Sequence, residues 1–151
     1  MKRTVLILCT GNSARSQMAE GLINHFLGET WQAFSAGSKP AGYVHPMAIY
    51  VMQEIGIDIH GHHSKSIEEF RGQRFDQIIT VCDNAVKDCP LWLGGGNRIH
   101  IGFEDPALVS DNETKQLIVF RHCRDQIRQQ VLNYLRLMST DEKIRVAELK
   151  S

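Results

Sequence analysis

Cys9 and Arg15 stand six positions apart, with Thr10, Gly11, Asn12, Ser13 and Ala14 between them and Ser16 directly after. These residue types at this spacing suit attack on a tetrahedral oxyanion. A thiolate is the nucleophile, and helix N-termini and neighbouring cations favour the thiolate over the thiol. Arginine offers a planar fork of donors matched to two oxygens of such an anion. Gly11 lets the backbone come close to the anion, Asn12 tolerates the left-handed conformation a tight loop demands, and the Ser13 and Ser16 hydroxyls are donors, with Ser16 placed to reach the Cys9 sulfur. A buried core cysteine at a strand end is the plainer reading of Cys9 alone. The arginine and the run of small polar residues argue against it. A nucleotide-binding loop would end in Gly-Lys-Ser/Thr, which is absent here.

The elements that position this loop are legible on either side. Val5, Leu6, Ile7 and Leu8 form an apolar run ahead of Cys9, and Met18, Leu22, Ile23 and Phe26 recur at helical spacing behind it. A strand therefore feeds a short loop that opens a helix. Such a loop aims successive N–H groups, and the positive end of the helix dipole, at one point.

Strand patterns at 4–8, 32–35, 77–81 and 98–101 alternate with helical ones, which predicts an α/β fold with a parallel sheet and helices on both faces. The first helix ends near Leu27, with Gly28 as its cap. Pro46 starts a second, with Ala48, Val51, Met52 and Ile55 inward and Gly56 at its end. Ile67 and Phe70 mark a short third. The last begins near Asn112 and carries Leu117, Phe120, Cys123, Ile127, Val131, Tyr134 and Met138 at steps of three and four. Cys123 reads as core. A single catalytic domain over 1–138, with a polar, fraying tail at 139–151, is expected from 151 residues without repeats or linkers.

Lysine plus arginine and aspartate plus glutamate are both 17, a formal net charge of zero. Neither nucleic-acid nor membrane binding is expected from that balance. The apolar run after Lys2 and Arg3 is too short for a signal peptide, and no run approaches the roughly 20 residues of a membrane helix. The expected location is the cytoplasm and the expected state a monomer. Lasting structural disulfides are uncommon in that compartment, so the four cysteines are expected to be buried, metal-binding or redox-active. His60, His62 and His63 read as a surface loop, for want of an evident third metal ligand.

The stretch Cys9-Thr-Gly-Asn-Ser-Ala-Arg-Ser-Gln-Met-Ala-Glu-Gly21 resembles the signature of the low-molecular-weight tyrosine phosphatase superfamily, and its wording is similar to the arsenate reductase branch. The resemblance runs from about Thr4 to about Leu137. It implies a three-layer, four-stranded sheet of order 2-1-3-4. Ligands then bind beyond the C-terminal strand ends, at the switch point between the first and third strands.

Cys82 follows the third strand and Cys89 lies seven residues on, before Pro90. Taken alone, Cys82 is a strand-end thiol and Cys89 a loop residue, and their spacing is not that of a zinc hook. With Cys9 as nucleophile, two further thiols suggest a relay by thiol–disulfide exchange. Arsenate reductases coupled to thioredoxin carry such a pair, so the resemblance assigns Cys9, Cys82 and Cys89 to one relay, with thioredoxin as reductant and no tightly bound cofactor. A helical 83–89 would hold Cys82 and Cys89 about 10.5 Å apart at 1.5 Å per residue, beyond the roughly 6.8 Å a disulfide spans. Oxidation is therefore expected to unwind that segment, with Gly94, Gly95 and Gly96 absorbing the change.

Asp105-Pro106 reads alone as a turn. The resemblance makes Asp105 the general acid that protonates the departing oxygen, with Glu104 as its competitor. Ala107 and Leu108 stand where family phosphatases usually carry aromatics, which favours a small inorganic anion such as arsenate, or its analogues phosphate and sulfate, over an aryl phosphate. Some relatives bind potassium through Asn, Glu, Ser and Asp. Asn12, Glu20 and Ser35 match three of these, and Lys65 stands near the fourth, where its ammonium is expected to replace the ion. The expected activity is reduction of arsenate to arsenite in arsenical resistance. The alternatives are a tyrosine phosphatase or small phosphomonoesterase, and a redox sensor that binds the oxyanion without turnover.

Overall fold

The computed structural model describes residues 2–83, 90–109 and 112–150, with side chains through 139. Four parallel strands, β1 (Arg3–Cys9), β2 (Trp31–Gly37), β3 (Gln77–Thr80) and β4 (Asn97–His100), form one sheet of order β2-β1-β3-β4. The expected order and all four strand positions are reproduced, with ends shifted by one or two residues. β1 is central, and Val5, Leu6, Ile7 and Leu8 are all fully buried. A parallel strand covered on both faces has no polar side to show, so its sequence is continuously apolar.

Three α-helices lie among the described residues: α1 (Arg15–Phe26), α2 (Pro46–Gln53) and α3 (Glu113–Lys150). They share one face of the sheet. There Val5 and Ile7 meet Met18, Leu22 and Ile23 of α1, Ala48, Val51 and Met52 of α2, and Phe120, Ile127 and Val131 of α3. Burial of each such side chain contributes about 1.5–3 kcal/mol. The other face receives Leu6, Leu8 and Ile78, covered by Phe70 of the 3-10 helix Ile67–Phe70 and by Phe75 and Trp92. Phe75 meets Phe70 edge-on at 5.8 Å and Trp92 at 5.7 Å.

Local chemistry explains the element ends. Leu27 closes α1, its N–H returning to Ile23 O. His45 caps α2 and Pro46 follows at the first helical position, where a missing N–H costs nothing. Ser66 caps the 3-10 helix. α3 continues to Lys150, past Met138, where the apolar stripe ends. Cys123 lies in the core as expected, and burial pushes its thiol up to about 12. It stays protonated at neutral pH and is no nucleophile. No helix among the described residues is long and apolar enough to cross a membrane.

Candidate active site

The loop after β1 is held from outside through its carbonyls. Lys39 N–H donates to Thr10 O (2.9 Å), Ala41 N–H to Gly11 O (2.8 Å) and His45 N–H to Ser13 O (2.8 Å), and the Ser64 hydroxyl adds a second bond to Gly11 O (3.1 Å). In a planar trans peptide the C=O and the following N–H point in opposite directions. With three carbonyls turned out, the N–H groups of Gly11, Asn12 and Ala14 turn in. Asn12 N–H accordingly reaches the Cys9 sulfur at 3.2 Å. Asn12 itself sits at φ 48°, as the loop reading expected. Ala14 occupies the N-cap of α1 and has no side-chain acceptor, so the first-turn donors of that helix remain available to an anion.

Hydrogen-bond logic fixes the direction of each bond around Cys9, which is 2 % exposed. Lys65 N–H donates to Asn12 Oδ1 (2.9 Å). The other end of that amide is therefore Nδ2, which donates to Ser16 Oγ (2.8 Å). The Ser16 hydroxyl, having accepted there, turns its proton to Cys9 Sγ at 2.8 Å. Two donors thus converge on the sulfur. Gln17 Nε2 locks the same asparagine through Asn12 O (3.1 Å) and Oδ1 (3.0 Å).

Arg15 is buried and anchored, with Nη1 donating to Phe103 O at 3.0 Å and Nη2 3.6 Å from Asp105 Oδ2. Asp105 also accepts from Ala107 N–H at 3.0 Å, capping the 3-10 helix Pro106–Leu108. The turn reading and the acid reading of Asp105 thus describe one residue. Glu104 is exposed. Cys82 follows β3, whose Thr80 is in register with Leu8 of β1. Its fully buried thiol lies 4.0 Å from the Thr10 hydroxyl, one residue from Cys9. Cys89, and with it the expected helix at 83–89, lies outside the described residues beyond Asp83.

Behind the loop, Ser35 donates to Glu20 Oε1 (3.2 Å). Lys65 Nζ stands 3.9 Å from the same oxygen and donates to His63 O (3.1 Å). His62 Nδ1 is 3.0 Å from Glu20 Oε2 and 3.1 Å from Gln17 Oε1. No group of three or more metal-ligating side chains occurs among the described residues.

The model of the low molecular weight phosphotyrosine protein phosphatases matches residues 4–145. The chain belongs to this family. Curated proteins to which it is about 40 % identical are named arsenate reductases. It is 40 % identical over 133 residues to the arsenate reductase of Halalkalibacterium halodurans, covering 88 % of this chain and 95 % of that one. Among solved structures it is similar to an arsenate reductase in the phosphate binding state, with a TM-score of 0.71 and 34 % identity over 89 % of this chain and 97 % of that one. It is also similar to the thioredoxin-dependent arsenate reductase of Corynebacterium glutamicum, with a TM-score of 0.62 and 26 % identity over 91 % of this chain and 63 % of that one.

Two residues at this family's anion loop escaped the sequence reading. His62 reads from the sequence as part of a surface loop, and its ring faces Glu20 and Gln17. No local pattern distinguishes it from His60 or His63. Gly37 ends β2 and carries the loop on its Cα: a Cβ there would overlap Thr10 O and lie 3.1 Å from Asn12 N. Gly37→Ala is expected to cost about 1–3 kcal/mol, as overpacking against backbone does, and to lower Tm by several degrees. Turnover should fall further than stability accounts for, because the displaced atoms carry the donors to Cys9. Thermal melts and steady-state assays on the one variant check both.

Proposed function

We propose that this protein reduces arsenate to arsenite through three thiols. The observation that carries the reading is the pairing of an oxyanion loop around Cys9 with a second buried thiol, Cys82, on the Thr10 hydroxyl at the neighbouring strand end. The names of the relatives support it. The inward N–H groups and Arg15 hold the oxyanion, and the Cys9 thiolate attacks arsenic. Asp105 gives its proton to the departing oxygen, which leaves as water. Cys82 then attacks the Cys9 sulfur. The S–As bonding pair stays on arsenic, arsenite departs, and a Cys9–Cys82 disulfide remains. Cys89 attacks Cys82, freeing the Cys9 thiolate and leaving a Cys82–Cys89 disulfide for an external dithiol.

Burial explains the need for a third thiol. Cys9 is 2 % exposed and Cys82 fully buried, so a protein reductant cannot reach a disulfide between them. Cys89 carries the oxidation outward, and thioredoxin is the reductant this reading assigns. Such a relay belongs in the cytoplasm, where thiols are kept reduced. The test follows NADPH oxidation with arsenate, thioredoxin and thioredoxin reductase. Turnover that requires all three is expected, and arsenate-independent oxidation or none at all would refute the proposal. Hydrolysis of small phosphate esters is a second reading, favoured by the family that the chain matches. It uses Cys9, Arg15 and Asp105 and neither of the other two thiols.

The cluster behind the loop takes Lys65 as its built-in cation. A lysine ammonium is a compact charge with three donors, and here it faces the carboxylate of Glu20 with Ser35 alongside. Wild-type turnover is expected to be the same in potassium and in choline buffers. Lys65→Asp should lose roughly tenfold or more in choline and recover in potassium. Strong potassium activation of the wild type would count against this role.

A further inference from the structure

The carbonyls of Thr10, Gly11 and Ser13 are held from outside by backbone N–H groups, which any residue except proline supplies. The remaining carbonyl of that run, Asn12 O, is held by a side chain. Gln17, in the first turn of α1, donates to it from Nε2 at 3.1 Å. The same nitrogen donates to Asn12 Oδ1 at 3.0 Å and to His63 O at 3.0 Å. Backbone carbonyls only accept, so contact with two of them fixes the nitrogen end of this amide against the loop. Its two hydrogens serve three acceptors, and one is shared. The opposite end, Oε1, meets His62 Nδ1 at 3.1 Å. Gln17 and Asn12 are both fully buried.

The Asn12–Ser13 peptide carries this contact to the anion. Its C=O and N–H point in opposite directions. With Asn12 O drawn out to Gln17, the Ser13 N–H points in, beside those of Gly11, Asn12 and Ala14. Asn12 stands at φ 48°, a conformation that asparagine tolerates without preferring it. Local preference therefore does not hold the peptide that follows. Without the Gln17 amide, Asn12 O would be a buried carbonyl that has lost its donor, which costs free energy. Rotation of the peptide would turn that oxygen toward the anion. A donor to the anion would give way to an acceptor that repels it.

The donors to the Cys9 sulfur do not run through this bond. Asn12 Oδ1 also accepts from Lys65 N–H at 2.9 Å, which keeps Nδ2 turned to Ser16. The Asn12 N–H belongs to the preceding peptide, held at Gly11 O by Ala41 and Ser64.

We propose that Gln17 is a positioning residue for the bound oxyanion: its side-chain amide turns the Asn12–Ser13 peptide so that the Ser13 N–H joins the donors facing the anion. The inference rests on the reading of the loop as an oxyanion site. Gln17 acts through Asn12 and not on the reacting atoms.

The test is a titration of the reduced full chain, wild type and Gln17→Met, with inorganic phosphate, read by calorimetry and by the backbone amide shifts of the loop. Methionine keeps the length of the side chain and has no donor. In the wild type, phosphate is expected to move the Ser13 amide proton downfield together with those of Gly11 and Ala14. In Gln17→Met the Ser13 shift should be lost and the other two kept. Phosphate should bind the variant at least about tenfold more weakly, the size of one hydrogen bond to a charged group. With arsenate, KM should rise by about tenfold and kcat stay within about threefold, since an interaction made equally by bound substrate and transition state is lost from KM alone.

A lowered Tm with unchanged phosphate affinity would mean that Gln17 supports the fold and not the anion, and would overturn the proposal. So would a wild-type Ser13 amide that phosphate leaves in place. That second measurement needs no variant, and it decides the matter if Gln17→Met does not fold. A wild type that binds phosphate but turns over no arsenate would be a failure of the reductase reading, and the phosphate titrations would still report the role of Gln17.

Discussion

Cys9→Ser is expected to abolish every activity of this protein while leaving the oxyanion site standing. The Asn12 N–H at 3.2 Å and the Ser16 hydroxyl at 2.8 Å both donate to the Cys9 sulfur. A serine hydroxyl at the same point holds its proton at neutral pH. Loss of the nucleophile should lower turnover by roughly 10⁴-fold or more, both in arsenate reduction and in hydrolysis of an aryl phosphate. Binding is a separate matter. The inward N–H groups are fixed by Thr10, Gly11 and Ser13 carbonyls bonded from outside, and Arg15 is anchored on Phe103 O. None of these depends on the sulfur. Phosphate or sulfate should therefore still raise the Tm of Cys9→Ser, by the linkage that gives about 2.7 kcal/mol at a hundred times Kd. A variant that retains turnover within tenfold of the wild type would mean that another group attacks arsenic.

Cys82→Ser is expected to split the two activities. Without Cys82 the Cys9–arsenic adduct has no internal thiol to resolve it, arsenite is not released, and thioredoxin-coupled turnover falls below detection. Ester hydrolysis ends with water and should continue within about threefold. A thiol count separates the steps further. One exposure of reduced wild type to arsenate without thioredoxin should release one arsenite per chain and consume two thiols, and Cys82→Ser should release none. Sustained turnover by Cys82→Ser with thioredoxin would show that the external thiol reaches Cys9 directly. The burial of Cys9 and Cys82 opposes that.

Much of this architecture was legible because period and chemistry coincide along the chain. The continuous apolar run 5–8 reads as a central parallel strand and is one. The three- and four-residue steps of Phe120, Cys123, Ile127 and Val131 read as one helix face and are buried together. Cys9 and Arg15 lie within a single loop, so their spacing carries their geometry. The approach of Asp105 to Arg15 was accessible only through resemblance, because no local pattern spans that separation. His62 was not legible in a site role. It stands among His60 and His63 in sequence and gains its place from contact with Glu20 of α1.

By itself the sequence determined a strand–loop–helix element with a thiol and an arginine around its loop and two further thiols downstream, since residue types and short spacings are properties of the chain. Tertiary structure decided which groups face that thiol. Parallel pairing of β1 with β3 set Cys82 against Thr10, and the 39–45 segment turned the loop carbonyls outward so that its N–H groups turn in. Glu20 likewise found Lys65 and His62. Those outcomes depend on how distant segments fill one buried volume, and hydrogen-bond direction inside it is set only once every donor and acceptor has been placed.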